Sequence, residues 1–248
     1  MKELGHAYVA EKVTGTTDNL LYIGCLIPDL VWYTRARPAL EKANLHDEGA
    51  VTLHDFIKKN NPSLRPLSVA ILSHGTLFGA YCYNDKSYKG GKGFAYRYSQ
   101  SLEKEVAICC NISATVAKIR AHNFIELMDL LIAKRETELV NRIEKSIQNS
   151  NFDKIASILS TCFKSDNSQI KKGLEDFASC YEPGDLQTVT GLAKIWTRQS
   201  AGLPEKDTID IKLAEKIILR AADLIKEDYQ SFLNNVVKKV RINLSSFL

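Results

Sequence analysis

The sequence lacks a long hydrophobic run. Nowhere in the 248 residues do about 18 apolar residues follow one another, as a membrane-spanning helix requires. The N-terminal segment MKELGHAYVAEK carries Lys2, Glu3, Glu11 and Lys12 and has no apolar segment of the kind found in secretory signals. We therefore expect a cytoplasmic protein without a transmembrane segment.

A strong charge of one sign is also missing. The 33 Lys and Arg against 29 Asp and Glu give a net charge of +4, whereas nucleic-acid-binding proteins usually show a denser basic surface. With 45% hydrophobic and 25% charged residues, the composition is that of an average globular protein, which disfavours disorder, collagen-like repeats and coiled-coil rods. The sequence therefore gives no strong signal for a nucleic-acid partner. The length fits one large domain or two small ones.

Cysteine pairs with metal-binding spacing are absent. The six cysteines form no C-x-x-C motif, and the adjacent Cys109 and Cys110 fall within an apolar helical pattern. In the reducing compartment expected above, such residues are typical of buried thiols rather than of disulfides. We expect no metal site built on cysteine.

Alternating strand patterns are not evident, and helical periodicity runs through nearly the whole chain. Apolar residues at three- and four-residue steps predict a helix over about 66–80, one long helix over 101–134, and a C-terminal helical element with its apolar face from Ala214 to Val240. The sequence thus predicts an all-α, multi-helix bundle. We expect residues 1–135 to form a helical domain with the candidate site, and residues 136–248 to form a C-terminal helical region packed on it.

Histidines occur only in the N-terminal half, which is therefore the expected place of any site. The five are His6, His46, His54, His74 and His122. Glu126 follows His122 by four residues, so both side chains share one face of a helix. An imidazole and a carboxylate in this arrangement can bind one zinc ion, or they can make an ordinary surface contact.

The order of short motifs adds a resemblance to a known family. The motifs are an early His6, the run IGCLIPD ending at Asp29, the His54-Asp55 dipeptide, a central His74, and the His122…Glu126 pair. Across residues 4–130 this order resembles the zinc-dependent phospholipase C family, which is related to the fungal single-strand nucleases. The resemblance implies helices around a zinc cluster that activates water against a phosphodiester.

Carried over residue by residue, the resemblance implies a set of metal ligands and one catalytic residue. Asp29 would be a metal ligand and also the catalytic base. The implied metal ligands are His6, Asp29, His54, His74, His122 and Glu126. His46 is left out of this set, because His46-Asp47 is interpreted as the start of a helix.

The sequence departs from the family pattern after the central histidine. The family continues H-x-x-x-D and then a further histidine, whereas here Phe78 is the fourth residue after His74 and no histidine lies between His74 and His122. Six ligands are too few for three zinc ions, so we expect one or two ions and slow or lost catalysis. If Phe78 replaces a bridging aspartate, Phe78→Asp should raise metal content and turnover.

Aromatic residues alternate with lysines in the stretch 81–98, which suits a phosphorylated substrate. The candidate substrate-binding residues are Tyr88, Lys89, Lys92 and Tyr96. The alternative is a solvated loop whose tyrosines lie on the helices beneath it.

These observations predict a metal-dependent hydrolase of a phosphate ester, similar to phospholipase C, with a phosphate-ester or phospholipid-like substrate. One alternative is a catalytically degenerate helical binding or scaffold protein. Another is an HD-type phosphohydrolase, suggested by the dipeptides His46-Asp47 and His54-Asp55.

Overall fold

The computed structural model describes residues 2–32, 39–84, 93–200 and 209–248, apart from the side chain of Trp32. All regular secondary structure within these ranges is helical, which confirms the all-α prediction. The predicted substrate-binding residues Tyr88, Lys89 and Lys92 lie outside the described residues.

Ten α-helices precede residue 135 and six follow it in the described part of the chain. The first ten are α1 (Glu3–Thr14), α2 (Asn19–Leu26), α3 (Lys42–His46), α4 (Glu48–Asn60), α5 (Arg65–His74), α6 (Tyr81–Asn84), α7 (Phe94–Ser99), α8 (Glu103–Cys110), α9 (Ala114–Glu126) and α10 (Asp129–Ala133). The other six are α11 (Thr137–Asn149), α12 (Phe152–Phe163), α13 (Asn167–Ala178), α14 (Val189–Ser200), α15 (Ile211–Ile225) and α16 (Tyr229–Asn243). Short 3-10 helices cover Ile27–Trp32, Pro62–Leu64, Gln100–Leu102 and Asp185–Gln187.

The predicted long helix over 101–134 is wrong, because local backbone signals divide it. Asn111 ends α8 in the left-handed region at φ 54°. Ser113 then begins α9 by accepting a hydrogen bond from the Val116 N–H through its side chain. A turn at 127–128 separates α9 from α10. The apolar periodicity continued across both breaks, so it did not reveal them.

The other predicted boundaries need similar correction. The helix predicted over 66–80 ends at His74, and a bend follows it. The C-terminal apolar pattern belongs to two helices, α15 and α16, rather than to one element. Both corrections place helix ends where the sequence pattern indicated continuous helix.

The packing of α1, α2 and α5 sets the framework for the site. The helix α1 contacts α2, α11 and α16, and α2 packs along α5. A Cβ atom at Gly24 would lie 2.5 Å from the carbonyl oxygen of Leu67, so only glycine permits this close approach of α2 to α5. The next residue, Cys25, is thereby held against the C-terminal end of α5. No helix in the described ranges is both long and apolar enough to cross a bilayer.

A buried carboxylate fixes the N-terminal end of α1. Asp129 accepts hydrogen bonds from the backbone N–H groups of Leu4 (2.6 Å) and Gly5 (3.1 Å). These two N–H groups belong to the first turn of α1, where helical partners are missing. Glu3 accepts hydrogen bonds from the Tyr181 hydroxyl (2.6 Å) and the Gln199 amide (2.9 Å). The start of α1, and with it His6, is thus tied to α10, α14 and the segment after α13.

Candidate metal centre

Three side chains from three helix ends meet at one point. Asp29 lies in the 3-10 helix after α2, His46 is the last residue of α3, and His74 is the last residue of α5. Oδ1 of Asp29 lies 3.5 Å from Nε2 of His74 and 3.8 Å from Nε2 of His46. Both imidazoles are buried, while the Asp29 side chain keeps 14% of its surface exposed. The cluster therefore reaches solvent through Asp29.

Backbone contacts bring the two histidines together. The Thr76 N–H donates to the carbonyl oxygen of His46 at 2.6 Å. A Cβ atom at Gly75 would lie 2.7 Å from that same oxygen, so glycine is required for the approach. The end of α3 is thereby fixed against the end of α5.

The orientation of His74 is set by the backbone of α2. Nδ1 of His74 lies 2.7 Å from the carbonyl oxygen of Cys25, which can only accept, so Nδ1 carries the proton. In the neutral imidazole the lone pair is then on Nε2, facing the Asp29 carboxylate. Metal-binding histidines typically donate their other N–H to a backbone carbonyl in this way.

The spacing fits a shared cation. Two ligand atoms at about 2.0–2.2 Å from one tetrahedral ion lie about 3.3–3.6 Å apart, close to the separations from Asp29 to His74 and His46. The candidate ligand atoms of all three residues lie within 4.8 Å of one another. Asp29, His46 and His74 could therefore hold a metal ion. In the described part of the chain, this is the one group of three or more His, Cys, Asp or Glu residues with such spacing.

The protonation states favour cation binding. Burial is the main cause of the lowered pKa of His46, against the opposing effect of Asp29. Burial by itself would raise the pKa of Asp29, but His74 and His46 reverse this and hold the pKa well below its ordinary value. A neutral imidazole and an ionised carboxylate are the forms that bind metals.

His6 lies directly beside this cluster. Its ring stacks on His74 with the centroids 3.6 Å apart and the planes within 9°. Its buried Nδ1 has no hydrogen-bond partner among the described residues. Burial, with a further contribution from His74, lowers the pKa of His6 well below its ordinary value. His6 packs against the group of three but is not among the residues whose ligand atoms lie within 4.8 Å of one another.

His122 and Glu126 point into the protein from α9 rather than into bulk solvent. Asn84 donates to Glu126 at 2.7 Å, and the ring of His122 stacks on Tyr96 with the centroids 4.6 Å apart. Burial acts to raise the pKa of Glu126, but nearby positive charge, including that of His122, lowers it overall. Asp29 acts on the same pKa in the opposite direction, so Glu126 lies within electrostatic reach of the cluster.

His54 does not converge with Asp29 and His74 as expected. Nδ1 of His54 pairs with the Ser68 hydroxyl at 3.0 Å, and its ring meets Phe247 edge to face at 5.3 Å. His46, which does not belong to the motif order, takes its place in the group of three. The spacing of residues along the sequence could not place His46 in this group, because its approach to His74 depends on the backbone contact at Gly75 and Thr76.

Phe78 does not occupy the next helical turn after His74, because α5 ends at that histidine. The ring of Phe78 packs instead against Phe247, with the centroids 5.2 Å apart. The comparison with an H-x-x-x-D motif assumed a helix that the structure does not have. The expected gain of metal by Phe78→Asp therefore loses its physical basis.

We now expect Phe78→Asp to destabilise the protein without adding metal. The new carboxylate would lie against the ring of Phe247, and poorly paired polar groups in such places cost about 1–3 kcal/mol. Chemical denaturation should show this loss in the free energy of unfolding, and Phe78→Leu should show a smaller one. An increase in bound metal for Phe78→Asp would contradict this prediction.

Comparisons of the chain with protein-family models, with curated proteins and with solved structures find no match.

Proposed function

We propose that the protein is a zinc-dependent hydrolase of a phosphate ester, with Asp29, His46 and His74 as the metal ligands. One observation carries the proposal: the Cys25 carbonyl fixes the proton of His74 on Nδ1, so that Nε2 faces the Asp29 carboxylate at 3.5 Å. Two electron-rich atoms at this distance are stabilised by a cation between them.

The donor set suits zinc in a catalytic role. Two imidazole nitrogens and one carboxylate oxygen match the three protein ligands typical of catalytic zinc sites, which leave a fourth position for water. When bound by these three residues, a zinc ion would lower the pKa of a bound water toward about 7 and would polarise a phosphoryl oxygen.

The protein's own residues have separate tasks in this proposal. The backbone of Cys25 orients His74, and the contact at Gly75 places His46. Oδ1 of Asp29 faces both imidazoles, so we assign Oδ2 to accept a hydrogen bond from the attacking water and orient it. The partial exposure of Asp29 gives the substrate access to this carboxylate.

The test is metal analysis of the purified, untagged protein together with hydrolysis of aryl phosphate esters. We expect about one zinc ion per chain, loss of hydrolysis on chelation, and recovery when zinc is returned. Asp29→Ala should lower both zinc content and hydrolysis, while the exposed Asp166→Ala should lower neither. A wild-type protein that is metal-free and inactive, with Asp29→Ala unchanged in stability, would support the binding-scaffold alternative instead.

A further inference from the structure

Lys42 and Tyr81 lie beside the candidate metal centre and contact each other. Nζ of Lys42 lies 4.8 Å from the centroid of the Tyr81 ring. That ring meets His46 edge to face at 5.1 Å and lies nearly parallel to His74 at 6.2 Å. Lys42 also precedes His46 by four residues on α3, so both side chains share one helix face. The ammonium group of this half-buried lysine thus lies over a ring that contacts both histidines.

The fixed charges around the centre indicate which anion it suits. Asp29 and Glu126 are negative, and the positive charges of Lys2 and Lys42 act on residues of the site. Imidazoles that bind metal are neutral, so a divalent ion would add its double positive charge to the centre. The Lys42 ammonium over the Tyr81 ring adds a further positive charge beside it. These positive charges match a phosphomonoester, which carries about −1.5 to −2 near pH 7, better than a singly charged diester.

Resting on the proposed function, we propose that the substrate is a phosphomonoester dianion and that Lys42 binds one of its non-bridging oxygens. The ring of Tyr81 holds the lysine in place on the side of the centre formed by His46 and His74. In the reaction, water bonds to phosphorus, the ester P–O bond breaks, and the leaving alcohol takes a proton, which yields inorganic phosphate. Lys42 offsets the charge on the phosphoryl oxygens throughout.

Binding of two aryl phosphates to the zinc-loaded protein, measured by rapid mixing before turnover, tests the proposal. Phenyl phosphate is the dianion and diphenyl phosphate is the monoanion, and both are measured near pH 7.5 with zinc content determined in every sample. The variants are Lys42→Met, Lys42→Gln and, as a matched control, Lys12→Met. Lys12 also lies over a tyrosine ring, with Nζ 5.3 Å from the centroid of Tyr8, but it is not part of the centre.

We expect the wild type to bind phenyl phosphate more tightly than diphenyl phosphate. Loss of one charge-assisted contact should weaken phenyl phosphate binding by roughly 10- to 100-fold in Lys42→Met, with a clearly smaller loss for diphenyl phosphate. Lys12→Met should bind both probes like the wild type. If Lys42→Met does not fold, as judged by thermal unfolding, Lys42→Gln gives the same comparison.

The results separate this inference from the proposed function. Full zinc content with unchanged phenyl phosphate affinity in the folded Lys42 variant would refute the role of Lys42. Equal wild-type affinity for the two probes would refute the proposal that the substrate is a phosphomonoester dianion. Either result leaves the zinc site standing. A wild-type protein that holds no zinc would overturn the proposed function and this inference together.

Discussion

His46→Ala is expected to abolish stable zinc binding, whereas His54→Ala should leave it intact. His46 contributes one of three side chains whose ligand atoms lie within 4.8 Å of one another, and His54 is engaged with Ser68 and Phe247. Even loss of an outer partner of a metal ligand costs roughly 10- to 100-fold in affinity. Loss of a ligand itself should therefore weaken binding by at least about 100-fold.

The pair of variants is a matched comparison, because both histidines are buried and both substitutions remove an imidazole. Zinc affinity is measured by competition with a chelator, and the fold of each variant is checked by circular dichroism. Equal zinc affinity in His46→Ala and wild type would remove His46 from the site. A loss in His54→Ala as large as that in His46→Ala would indicate general disruption rather than a specific ligand.

Two of the three residues in the cluster could be predicted from the sequence, because each lies in a short motif of neighbouring residues. Asp29 follows Pro28 at the end of an apolar helix, and His74 ends another, so both fit the motif order of the resemblance. His46 could not be predicted in the same way. Its position depends on the packing of α3 against the bend after α5, through an atom-to-atom approach that only glycine at 75 permits.

In the fold, the presence of helices could be predicted from the sequence, whereas the positions of their ends could not. Apolar spacing predicts helices reliably because it reports which face is buried, and that face continues across a helix break. The breaks themselves are local events: a left-handed Asn111, a capping Ser113, and the bend that begins at Gly75. The errors in the predicted helices fall at such positions, and one of them misplaced Phe78 relative to the site.

Asp129 is expected to make the stability of the fold depend on pH. Burial is the main cause of its raised pKa, the negative charge of Glu3 adds to it, and the two N–H bonds from α1 oppose it without cancelling it. Below about pH 4 the carboxyl is protonated in both folded and unfolded chains. Above that pH the unfolded chain releases the proton first. Raising the pH therefore favours unfolding until it passes the raised pKa of the folded state.

Asp129→Asn should remove this dependence, since an amide does not titrate. With the pKa of Asp129 raised to about 8 in the folded protein, the difference in unfolding free energy should shift by about 3–4 kcal/mol between pH 5 and 8 in favour of the variant. The buried histidines with lowered pKa values act in the opposite direction, but both proteins contain them, so their effect cancels in the difference. Asp166→Asn is the control, because Asp166 also caps a helix but is exposed. Urea unfolding across this pH range measures the shift, and parallel profiles for wild type and Asp129→Asn would show that Asp129 is ionised in the folded protein throughout.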